Sequence, residues 1–558
     1  MNKKFVTYEE FGAIGDGIAD DFQALRAAHA YANENGLPVY GTTGKKYRIH
    51  DTLIDGKVES ISIQTDTDWK GAEIIIDDSD IPPWDEHKRY LSHVILVESN
   101  YKKLLIEDRE TLSRLEGIGP GTTKIDLSLG YPALLILLNK NHRVFKRYGK
   151  AYGDQMLGAF QRELIVVDGE GNVDPSTPFM FTYNDMSGVT VIRTDVKPIT
   201  VGNGTVTTIA CHTGLTTTVN GEEKYYPNYY FRGISVSRSH TLVKGVEHRV
   251  VGEVTLQEHA ELGLLGPSYY GFFNGSEADE VTFEDCILQG RRYYHVQGTY
   301  DFSGGMVNKI RLINCQQSNF YLENENGERV TSMAISRLTG TRICWGIGGT
   351  NYCKNMEYIG CTLSRFDAHA GLINGKIIDT TINFIALTGK GNMEIRGTKL
   401  INIGGQSHVD RNFVYLRDDY GSMWQGDIVI KDCEIDTEVS DFDILNFTYC
   451  NHDFGYVCHF PSVDISNLTL TRGAENTKLN LVRRHYFDAE PGMHLDEIKN
   501  IHHRDKDFEP ELDNFKNYNK TTPPQYIKFT DISQGYPLYL VDSPFFDSTE
   551  LSGNIVRD

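Results

Sequence analysis

Proline is scarce in this chain: 17 residues of 558, against 53 glycines, 31 tyrosines and 26 phenylalanines. Proline removes a ladder donor and glycine opens positive φ, so the balance suits many strands and turns. Long apolar runs are lacking too. The nearest, Tyr131 to Leu138, falls far short of the roughly 18 residues a membrane-spanning helix needs. The opening M-N-K-K-F-V-T-Y-E-E-F-G lacks the apolar centre of a signal peptide. The expectation is no membrane partner and a cytoplasmic protein, or a secreted one if a signal has been removed. Positive charge is in deficit, with 55 Lys and Arg against 76 Asp and Glu and a net charge of −21. Without a basic stripe, nucleic acid is excluded as a partner. The cysteines are nine, an odd number, with no C-x-x-C pair. That excludes a disulfide framework and a zinc site by spacing.

What the chain does have is a phrase that returns. It reads V-T-F-E-D-C-I-L to Leu288, I-R-L-I-N-C-Q-Q to Gln317 and M-E-Y-I-G-C-T-L to Leu363. Later copies are M-E-I-R-G-T-K-L to Leu400, I-V-I-K-D-C-E-I to Ile435 and V-D-I-S-N-L-T-L to Leu470. Aligned on a small residue, the column is Cys286, Cys315, Cys361, Thr380, Thr398, Cys433 and Asn467, in steps of 29, 46, 19, 18, 35 and 34. The steps of 18 and 19 leave no room for a crossover helix. Recurring strands with alternating burial predict an all-β fold, a right-handed parallel β-helix with small side chains, several of them thiols, stacked at one corner.

The opening F-G-A-I-G-D-G-I-A-D-D, residues 11–21, precedes an expected helix from Phe22 to Ala32 and strands at Val39-Tyr40 and Tyr47-Arg48-Ile49. This stretch resembles the N-terminal cap of the pectate-lyase-like β-helix superfamily. The resemblance implies a capping helix, with Asp16, Asp20 and Asp21 fixing a turn and helix start, and carbohydrate handling in general. Residues 85–185 break the rhythm, and Asp168-Gly169 marks a hairpin turn within them. The expected organisation is 1–80 cap and first coils, 81–185 an inserted small subdomain, 186–475 the main β-helix, and 476–558 C-terminal coils and cap. The Gly/aromatic stretch 265–276 reads as a loop.

No phosphate-binding, nucleophile-elbow or zinc-protease motif is present, and the polygalacturonase set does not occur as a unit. Counting six and eight residues past the small position gives one strip of outward residues: Arg292 and Tyr294, Tyr321 and Glu323, Asp367 and His369, Ala386 and Thr388. Matching Leu416 to Leu387 adds Tyr415 and Arg417, and the turn L-R-D-D-Y-G-S then supplies Asp418 and Asp419. Carboxylates and a histidine do acid–base work, aromatic faces bind sugar rings, and arginine orients hydroxyls or an acid group. The competing reading is a solvated outer face. The expected function is a glycoside hydrolase acting on an oligo- or polysaccharide. Asp367, Asp418, Asp419, Glu323 and His369 are its catalytic candidates. Arg417, Tyr415, Tyr321, Arg292 and Tyr294 are its substrate-binding candidates. A lyase or epimerase on uronic-acid glycans is the alternative, and a non-catalytic glycan-binding or phage-tail-type protein the second. No cofactor is expected for a hydrolase, whereas calcium suits a lyase; the partner is the glycan, with room for a homo-oligomer. Asp367 is expected to be exposed and Ala368 buried.

Overall fold

The computed structural model describes residues 3–81, 92–144, 159–210, 217–219, 222–224, 229–253, 268–289, 300–323, 326–331, 349–403, 412–417, 420, 423–438, 441–450, 459–472, 478–487, 526–532, 538–540, 550–552 and 555–557. They fall into two compact units. The first is Met1–Lys102, Thr194–Gly349 and Gly360–Ser364; the second is Lys103–Arg193, Thr350–Ile359 and Arg365–Asp558.

In the first unit the glycine-punctuated opening folds as expected. Asp21 accepts from the backbone N–H of Ile14 and Gly15 at 2.7 and 3.1 Å, and Asp16 accepts from Ile18 and Ala19. Asp20, one residue before the helix N-cap, takes the N–H of Phe22 and ties it to His50 and Asp51. The helix Phe22–Asn35 stops at Gly36 (φ 64°) and buries Phe22, Leu25, Ala28, His29 and Ala32. Beneath it Tyr8 bridges His29 and Trp69. Burial holds the His29 imidazole neutral, with its pKa pushed down to about 3.

Parallel coils follow in both units. In the first, Val201, Val243, Phe283 and Leu312 pair in sequence and are at most 2% exposed. In the second, Tyr358, Ile377, Ile395, Ile430 and Ile465 pair in sequence and are all 0% exposed. Each coil stacks its apolar residue on the one below, so the interior of each unit is a pile of like side chains. The stretch 265–276 is corrected from loop to strand: Ser268–Ser276 pairs in parallel with Tyr300–Gly305. Its glycines leave room for close neighbours, and its Phe273 packs on Phe283, which in turn meets Phe302.

The thiol column exists. Cys315 donates to the Phe283 carbonyl and Cys361 to that of Leu312, and mutual hydrogen bonding with Cys286 and Cys361 drives the Cys315 thiol pKa well up. In the second unit Thr398 donates to the Ile377 carbonyl and Cys433 to that of Ile395. Asn467, however, does not belong to this column. Leu468 pairs with Cys433 and is 1% exposed. Asn467 (φ 52°) sits one residue earlier, in a second column of left-handed residues with Asp379, Gly397 and Asp432. Asn and Asp tolerate this turn conformation best among residues with a Cβ, and the Asn467 amide donates to the Asp432 carboxylate at 2.7 Å. At Gly397 a Cβ would meet the Asp379 carboxylate at 2.1 Å, so this rung takes glycine.

Within the second unit, a separate antiparallel sheet interrupts the coils. Its strand order is Leu104–Ile106, Gly188–Arg193, Ala133–Val144 and Ala159–Val167. It has a core of its own around Leu135, Leu137, Ile165, Phe179, Tyr183 and Val191. Asp168 makes the expected turn by accepting from the backbone of Glu170 and Asn172. No helix among the described residues is long and apolar enough to cross a membrane.

Candidate functional site

The strand Thr362–Ala370 carries Arg365, Asp367 and His369 at alternate positions, hence on one face, with Phe366 and Ala368 on the other. Leu387 pairs with Leu416 and Ala386 with Tyr415, and the Arg417 N–H donates to the Leu387 carbonyl at 3.0 Å. The alternation and the match of Leu416 to Leu387 are therefore as counted. The exposure is not. Asp367 and Ala368 are both 0% exposed, and Tyr415 and Arg417 are each 6% exposed. Both faces of this strand are covered, as in parallel sheets packed on two sides, and the alternation rule loses its solvent face.

Part of that cover can be named. Ala370 packs with Tyr420 and Met423, and Val144 and Phe181 of the antiparallel subdomain lie against them. The His369 and Tyr420 rings meet edge to face with centroids 6.2 Å apart. Asp367 receives two guanidinium groups, Arg417 at 2.8 Å and Arg365 from its own strand, and the Arg417 guanidinium lies 5.7 Å from the Tyr420 ring. Burial alone would raise the Asp367 pKa. Arg365, Arg417 and His369 outweigh it and hold the carboxyl below its ordinary value. A carboxylate so held stays ionised at neutral pH and has no proton to donate as a general acid.

The other candidates are less close. Tyr321 and Glu323 lie on a short antiparallel hairpin, Tyr321–Glu323 with Arg329–Thr331, and not on a parallel coil as counted. The bend after Gln317 takes the chain out of the ladder before those positions are reached. There the Arg329 guanidinium lies 3.7 Å over the Tyr321 ring. Arg292, Tyr294, Asp418 and Asp419 lie outside the described residues. Asp418 and Asp419 are flanked by buried Arg417 and Tyr420, and the Tyr420 N–H donates to the Arg417 carbonyl at 3.2 Å. No group of three His, Cys, Asp or Glu side chains suited to a metal ion occurs among the described residues.

The sequence count passed over Arg365, although it stands two residues before Asp367 and so on the same face. A second polar centre was missed altogether. Glu163 of the antiparallel subdomain and Lys354 of the coils form an ion pair at 2.9 Å, both side chains 0% exposed. Glu163 also accepts from the N–H of Met180 and Phe181, and Lys354 donates to the Pro178 carbonyl. Burial pushes the Glu163 pKa up and the Lys354 pKa down. Lys390 donates to the Met180 carbonyl at 2.7 Å and stands 4.2 Å over the Phe181 ring. These partners are 191, 176 and 210 residues apart in sequence, and no local pattern announces them.

The fold is the parallel β-helix. No family model and no curated protein matches the chain. Among solved structures, it is similar to a Pseudomonas phage phi297 tailspike at 12% identity, covering 99% of this chain and 81% of the other with TM-score 0.47. A GH87 α-1,3-glucanase from Streptomyces thermodiastaticus matches at 9% identity, over 100% of this chain and 69% of that one, with TM-score 0.29. A family 28 exopolygalacturonase from Yersinia enterocolitica matches at 9%, over 88% and 79%, with TM-score 0.28.

Proposed function

We propose that the protein handles glycans and hydrolyses a glycosidic bond, with Asp418 and Asp419 as the acid–base carboxylates. The observation that carries this reading is the seating of Arg417. Its side chain is locked to Asp367 and its backbone to Leu387. Asp418 and Asp419 follow this fixed cation directly in sequence and supply the two carboxyl groups that acid–base catalysis uses. Tyr420 is buried with Ala370 and Met423. Asp367 becomes a positioning group for Arg417, where the sequence had it as a catalytic acid. His369, half-buried against Tyr420, tunes or binds.

Products from a panel of neutral and uronic oligosaccharides test this. New reducing ends without an unsaturated uronide, lost in Asp418→Asn or Asp419→Asn, support hydrolysis. An ultraviolet-absorbing double bond would replace it with a lyase, and binding without turnover with a non-catalytic glycan-binding role.

A further inference from the structure

Two lysines of the second unit share one acid. Glu163 is already bonded to Lys354 and to two backbone N–H groups, so that pair is neutral as a unit. Among the described residues, the one hydrogen bond Lys390 donates goes to a carbonyl, that of Met180. Its ammonium is therefore a surplus positive charge in a chain whose net charge is −21. It is not a loose surface lysine either. Phe181 lies against it, and the Phe181 backbone is fixed by buried Glu163 while Lys354 holds Pro178 three residues earlier. Lys390 and Phe181 are half-buried, as is His459. The rim is thus open to solvent while its supports are not. Burial lowers the pKa of both Lys390 and His459, and Lys390 lowers that of His459 further, so the histidine stays neutral and leaves the lysine as the cation. A partly desolvated ammonium keeps its hydrogen-bonding capacity and loses competing water.

We propose that Lys390, backed by Phe181 and flanked by His459, is a subsite for the carboxylate of an acidic sugar. The proposal rests on the glycan-handling reading and narrows its substrate class. The Phe181 ring serves as the apolar wall and holds the ammonium by cation–π attraction, and the sugar carboxylate takes the free protons of Nζ.

The test is saturation-transfer NMR on the whole chain with glucuronate, glucose and acetate as probes. Glucuronate is expected to receive saturation where glucose and acetate do not. Lys390→Met should weaken glucuronate about tenfold, the loss expected of one charge-assisted bond, while Lys390→Arg retains it. If Lys390→Met does not fold, salt titration of the unaltered protein decides: glucuronate binding must fall as ionic strength rises. Equal response to glucose, equal response to acetate, unchanged binding in a folded Lys390→Met, or salt-independent binding would each overturn the subsite. Hydrolysis of neutral glycans alone removes the subsite and leaves the hydrolase. Glucuronate binding with no cleavage of any oligosaccharide in the panel removes the hydrolase and leaves the subsite.

Discussion

Arg417 Nη1 donates to Asp367 Oδ1 at 2.8 Å across 50 residues of sequence, in a setting where the carboxylate has no exposure at all. A pair of that kind is costly to assemble and more costly to break. Removing one partner strands a charge without water, at about 3–5 kcal/mol. Asp367→Asn should therefore destabilise the protein by about that amount, despite its matched shape, because two guanidinium groups lose their carboxylate. Urea unfolding measures it. A change below about 1 kcal/mol would mean that solvent reaches the pair.

Protonation should do what the substitution does. The folded pKa of Asp367 lies below its unfolded value, so its contribution is present above the unfolded pKa, about 4, and is lost as pH falls through the folded one. Glu163 has the opposite sign: its folded pKa is raised by burial, so its ionisation opposes folding as pH rises through that value. Urea midpoints against pH should show Asp367→Asn flattening the acid limb below about pH 4 and Glu163→Gln flattening the fall at higher pH. Identical profiles in both variants would contradict the assignment.

Glu163→Gln and Lys354→Met should each destabilise by about 3–5 kcal/mol, because each leaves its partner buried and unpaired. The double variant should cost clearly less than the sum, as residues in one ion pair couple. A double-mutant cycle gives the coupling energy, and strict additivity would show that the pair contributes nothing as a pair.

At the corner of the second unit the two adjacent positions should respond in opposite ways. Leu468→Ala opens a cavity and should cost about 2–5 kcal/mol. Asn467→Gly should be close to neutral, while Asn467→Val, β-branched in a left-handed turn, should cost about 1–2 kcal/mol. Reversal of that order would restore Asn467 to the small-residue column.

By itself the sequence determined the coil. The recurring phrase, the thiols of Cys286, Cys315 and Cys361, the glycine-rich opening and the match of Leu416 to Leu387 are local regularities, repeated because each rung meets the same neighbours. Alternation also put Asp367 and His369 on one face, and Arg365, which the count passed over, shares it. Only the tertiary structure decided what covers that face. Arg417 comes to Asp367 and Tyr420 to His369 from some 50 residues away in sequence, and burial is a property of what arrives, not of the strand that receives it. The same holds for Glu163 with Lys354 and Lys390. Side chains so far apart in sequence meet through packing, and no spacing rule encodes them. Asn467 marks the limit at short range. Its side chain is small enough for the buried column, but its backbone preference sends it to the turn, and φ decided the register by one residue.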